Sequence, residues 1–243
     1  MPSFTDTLKV NGQDMEMYAS LPSGAGPHPA VVIAFHVGGL DEFDKKMADR
    51  LAEEGYVAVV PDLFHRLSQE VMDGPRLDRL GHLSDPYIIA DMNAAVDFLK
   101  GQSSVDSDRI GVTGFCMGGR IAWLLAATNP IFKAAVPFYG GNIMATWGDT
   151  TQTPFDLTNG INCPTLFHFG ATDGNPSPED MVKLDNELTR LGKEHTFYSY
   201  PGAGHAFMDF TNAERYHKEA SEAAWPRTVD FFATHLKGAA VAR

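Results

Sequence analysis

The ten residues Gly111-Val112-Thr113-Gly114-Phe115-Cys116-Met117-Gly118-Gly119-Arg120 constrain the fold of this chain more than any other stretch. Ahead of Cys116, residues 109–113 are β-rich and mostly apolar, like a buried strand. Beyond it, Ile121-Ala122-Trp123-Leu124-Leu125-Ala126-Ala127 has the make-up of a buried helix. Between them stands G-x-C-x-G-G, the strand–turn–helix pattern of a nucleophile elbow, with cysteine where serine is usual. So sharp a turn brings positions 114 and 118 into close approach, and glycine at both is a steric demand. Cys116 then falls at a helix N-terminus, whose N–H groups and dipole favour the reactive thiolate. The competing reading is an inert cysteine filling the core. A base and an acid at suitable places downstream would decide between them.

The rest of the chain reads as alternating strands and helices. Residues 3–10 and 14–20 alternate around Asn11-Gly12, a hairpin signal. Ala30-Val31-Val32-Ile33-Ala34-Phe35 is a continuous apolar run, expected to be a central strand covered on both faces. A helix to about Glu54 follows, closed by Gly55, then a buried strand over 56–62. Residues 63–84 are polar and irregular, with Gly74-Pro75 and Gly81 as breakers. Asp85-Pro86 opens a helix to about Lys100. After the elbow come a strand at 133–139, an irregular excursion over 141–162, a strand at 164–170 and a helix over 178–191. A strand at 195–200 and a helix over roughly 212–236 complete the chain. This order predicts an α/β fold with a mostly parallel central sheet, helices on both faces and an N-terminal antiparallel hairpin. No linker divides residues 1–243, so one domain is expected.

In such sheets chemistry gathers at the carboxyl ends of strands. Four candidates fall there: the His36-Val37-Gly38-Gly39 loop, Cys116, Asp173 and His205. Nucleophile, acid and histidine follow one another in the α/β-hydrolase order. Cys116 would attack a carbonyl, His205 would serve as base and then acid, and Asp173 would hold the imidazole tautomer. The N–H groups of Val37 and Met117 would form the oxyanion hole. His36, Phe115, Trp147 and Phe207 are candidates for the substrate pocket. His168, inside an apolar strand, reads as a core histidine. No histidine spacing supports a metal site.

The net charge of −12 argues against nucleic acid and anionic membrane as partners. Two cysteines so far apart, Cys116 and Cys163, give no disulfide or zinc framework and fit a reducing, cytoplasmic setting. No basic-then-apolar leader opens the chain.

With the residues Gly114-Phe115-Cys116-Met117-Gly118-Gly119, the strand exit 166–173, Gly202-Ala203-Gly204-His205-Ala206-Phe207 and 56–64 taken together, the chain resembles the dienelactone hydrolase family. The resemblance spans nearly the whole length. It implies an α/β-hydrolase fold that hydrolyses small esters or lactones without metal or organic cofactor. Two positions depart from the family pattern. His36 stands where the founding enzymes carry a glutamate that pairs with the resting cysteine, so His36 is expected beside Cys116. Met208-Asp209 stands near the family's carboxylate-binding arginine, which argues against dienelactone itself as substrate; Arg66, Arg76 and Arg79 remain as possible replacements. A non-catalytic ligand-binding protein, or a hydrolase of thioesters, peptides or phosphotriesters, is the alternative.

Overall fold

The computed structural model describes residues 2–238. Eight strands form one sheet in the order β1-β2-β4-β3-β5-β6-β7-β8. They are β1 (Ser3–Val10), β2 (Gln13–Ser20), β3 (His28–Ala34), β4 (Val57–Pro61), β5 (Val105–Phe115), β6 (Phe132–Phe138), β7 (Thr165–Gly170) and β8 (His195–Tyr200). β1 and β2 form the expected antiparallel hairpin, and β2 runs antiparallel to β4. Every other pairing is parallel.

The helices are α1 (Glu42–Glu53), α2 (Gln69–Asp73), α3 (Asp85–Lys100), α4 (Met117–Thr128), α5 (Pro178–Arg190) and α6 (Lys218–Lys237). Residues Ala30 to Ala34 of β3 are wholly inaccessible, as a strand covered on both faces must be. α1 and α6 lie together, with the Arg50 guanidinium 4.0 Å over the Trp225 ring, while α3 contacts α4. At Gly111 a Cβ would come within 3.0 Å of Phe232 and Leu236, so the missing side chain lets α6 sit close on β5.

Two sequence expectations need correction. Residues 63–84 are not wholly irregular. Ser68 accepts the Val71 N–H and starts α2, and a 3₁₀ helix runs over Arg76–His82. Gly74-Pro75 separates the two turns instead of abolishing them. The last helix begins at Lys218 and not at 212. Asp209 and Asn212 side chains accept the backbone N–H groups of Thr211 and Glu214, which favours turns over helix, and the His217 ring then caps α6. The excursion over 141–162 carries only a short 3₁₀ turn at Thr158–Gly160. No helix among the described residues is long and apolar enough to cross a membrane.

Candidate active site

β5 runs into Cys116, and α4 leaves from it. Cys116 has φ 57° and ψ −117°, backbone angles that an L-residue adopts only under strain. The strain is enforced by close packing. A Cβ on Gly118 would lie 1.9 Å from the carbonyl oxygen of Ala34, and one on Gly114 would lie 2.1 Å from that of Gly118. The elbow is therefore wedged against the end of β3, and only glycine permits it.

The exits of β7 and β8 bring the partners. His205 Nε2 lies 2.9 Å from Cys116 Sγ, and His205 Nδ1 lies 2.9 Å from Asp173 Oδ2. Asp173 is buried, and its Oδ1 accepts the N–H of Asn175, which fixes the carboxylate. Residues 89 positions apart in sequence thus share one hydrogen-bonded row. Burial opposes charge on His205, but the bonds to Asp173 and Cys116 outweigh it and push the imidazole up to about 10. Burial would likewise raise the Cys116 thiol. The His205 bond and charge, with the N–H groups of Met117 and Val37, hold it below its ordinary value. Both shifts run in the direction of a thiolate paired with an imidazolium.

The two backbone donors that border Sγ come from the start of α4 and from the loop after β3. That loop turns tightly, with the Gly39 N–H donating to the His36 carbonyl and Gly39 at φ 92°. The hydrogen-bond partner of His36 is a carboxylate. His36 Nε2 lies 2.7 Å from Asp41 Oδ2 and 3.4 Å from Asp44 Oδ2, so the N-terminus of α1 claims the ring. Asp41 caps α1 through its other oxygen. Asp44 is fully buried with no hydrogen bond to either oxygen, and burial, then the Asp41 charge, push its carboxyl well above the usual range. Among the described residues, His36, Asp41 and Asp44 form the one group close enough to share an ion. The 2.7 Å separation, however, is that of a hydrogen bond from Nε2–H to a carboxylate.

The apolar pocket candidates prove to be supports. Phe115 is buried between Phe43 and Phe138, with ring centroids 4.9 and 4.8 Å away. Phe207 is buried between Tyr139 and Tyr200. Trp147 lies 3.7 Å over the Arg120 guanidinium and donates its backbone N–H to Asp85 Oδ2, so it anchors the 141–162 segment. Sequence reasoning missed Tyr139. It ends β6 at φ 37°, and its ring stands edge-on to His205 at 5.4 Å. A tyrosine at a strand exit carries no signal of that backbone strain. His168 is the core histidine expected, bonded to Thr228 and Tyr200.

The model of the dienelactone hydrolase family matches residues 15–236. A protein of Methylorubrum extorquens named "Putative carboxymethylenebutenolidase" is 31% identical over 236 residues, covering 93% of this chain and 79% of that one. A "Probable 2-oxo-3-(5-oxofuran-2-ylidene)propanoate lactonase" of Bradyrhizobium is 30% identical, over 95% of this chain and 94% of its own. Among solved structures, a "Putative Dienelactone Hydrolase" from Klebsiella pneumoniae superposes with a TM-score of 0.87 at 32% identity, covering 96% and 98% of the two chains. On this match over nearly the whole length, the chain belongs to the dienelactone hydrolase family.

Proposed function

We propose that the protein hydrolyses small esters or lactones through a thioester acyl-enzyme on Cys116. The observation that carries this reading is the unbroken row Cys116–His205–Asp173, with both links at 2.9 Å and two backbone N–H groups at the sulfur. The thiolate attacks the carbonyl carbon, and the carbonyl oxygen takes the electron pair. The N–H groups of Val37 and Met117 stabilise that oxyanion. Collapse expels the alkoxide, which takes the proton from His205 Nε2. Neutral His205 then removes a proton from water as the water attacks the thioester. A second collapse releases the acid and restores the ion pair, with Asp173 holding the imidazole throughout. The names of the relatives support a lactone or ester as substrate class.

The test is a panel of short-chain esters, lactones and thioesters with wild-type protein and Cys116→Ala. Hydrolysis is expected to vanish in the variant. Mass spectrometry of quenched wild-type protein should show one acyl adduct, on the peptide holding Cys116. Full turnover by Cys116→Ala would sink the proposal, as would an ester that binds and leaves no adduct and no product.

A further inference from the structure

The loop that supplies the Val37 N–H is held from its far side by one side chain. Arg79, from the 3₁₀ helix at Arg76–His82, is buried. Its Nη1 donates to the carbonyls of Val37 and Gly38, both at 3.2 Å, and its Nη2 donates to the carbonyl of Met72 at 2.7 Å. No backbone N–H among the described residues bonds either loop carbonyl. The guanidinium lies 5.6 Å over the ring of Phe64, which also packs under Gly39. Arg79 therefore ties three things together: the end of α2, the loop after β3 and the aromatic floor beneath that loop.

This placement has a consequence for chemistry. The Val37 N–H and the Val37 carbonyl flank the same α-carbon, so fixing one restricts the other. A donor in an oxyanion hole stabilises charge only when it is already aimed at the oxygen. We infer that Arg79 is a positioning residue for the oxyanion hole: it aims the Val37 N–H by clamping the carbonyls of Val37 and Gly38. The inference rests on the proposed acyl-transfer function. It also takes Arg79 out of the set of arginines free to meet a substrate carboxylate, since all three of its hydrogen bonds go to main-chain oxygens.

The experiment separates the oxyanion hole from the nucleophile. Iodoacetamide alkylation of Cys116 needs the thiolate and His205 but builds no oxyanion, whereas ester hydrolysis needs both. Arg79→Met and Arg79→Lys are compared with wild type for kcat and KM on a neutral ester and on its carboxylate-bearing analogue, for the alkylation rate across pH, and for the thermal midpoint. Arg79→Met should lower kcat by about 10- to 100-fold with KM changed less than threefold, the size expected when one donor is misaimed. Its alkylation rate and pH profile should stay within twofold of wild type. Arg79→Lys, which keeps a cationic donor, should recover part of kcat, as should guanidinium added to Arg79→Met. An unchanged kcat would overturn the inference. So would an alkylation rate that falls together with hydrolysis, which marks damage to the thiolate, or a loss confined to KM for anionic esters, which marks a substrate contact. If instead wild-type alkylation leaves hydrolysis untouched, the acyl-transfer reading itself fails, and it fails independently of Arg79.

Discussion

Replacing Arg120 with methionine is a severe test of how the 141–162 segment is held. Arg120 is wholly inaccessible. Its Nη1 and Nη2 meet Asp85 Oδ1 and Oδ2 at 2.6 and 2.9 Å, while Nε and Nη2 donate to the carbonyls of Asn142 and Ala145 at 3.0 and 2.6 Å. Methionine keeps the aliphatic stem but removes four hydrogen bonds and the only cation facing Asp85 in this network. Removing one partner of a buried pair costs about 3–5 kcal/mol, because the other charge stays desolvated. For a chain of this size each kcal/mol shifts the midpoint by about 2–4 °C, so Arg120→Met should melt about 6–20 °C lower. Equilibrium urea unfolding at neutral pH would give the free energy directly. Adding Asp85→Asn to Arg120→Met removes the stranded charge and should return more than about 1 kcal/mol, a coupling that two independent sites would not show. A loss under about 1 kcal/mol for Arg120→Met, or strict additivity in the cycle, would refute the account.

Three further outcomes are expected. The thiolate of Cys116, followed by its ultraviolet absorbance, should persist below the ordinary thiol range and be lost only on acidification, giving the acid limb of hydrolysis. The alkaline limb should come as His205 loses its proton near about 10, and His205→Ala should move the thiolate inflection upward. Gly118→Ala should yield no soluble, cooperatively folding protein, because the new Cβ would lie 1.9 Å from a main-chain oxygen that cannot move without displacing β3; a well-folded variant would contradict the packing. A neutral ester should show a kcat/KM at least about tenfold above its carboxylate-bearing analogue. Arg79 is committed to the loop, Arg66 is bonded to Asp91, and Arg76 is exposed. Preference for the anionic analogue that weakens with salt would overturn this.

The elbow, Asp173 and His205 were legible in the sequence for a shared reason. Each follows a strand run and has glycine beside it, although only at the elbow, Gly114 and Gly118, is the turn too tight for a side chain. Such signals are local, and the parallel sheet does the rest by lining up strand exits. The hydrogen bond of His36 left no sign in the sequence, because its partner stands at the start of the next helix. Asp41 reads equally well as a helix cap, and it is one. Trp147 was misread because its place is set by Arg120, 27 positions earlier, and a buried ion pair leaves no periodicity to find. Arg79 could be named as a cation in the 63–84 segment, but nothing in that segment's composition says which main-chain oxygens it meets.

The backbone of Cys116 has a consequence for the evolution of the site. Holding an L-residue at φ 57° and ψ −117° costs on the order of 1–3 kcal/mol, and glycine would relieve most of it. Mutation at this codon thus offers a substitution that makes the protein more stable and removes its sulfur in the same step. Drift towards stability and drift towards inactivity run along one path at position 116, and only selection for turnover opposes it. A lineage in which nothing selects for that thiol should lose it early, while the sheet around it remains sound.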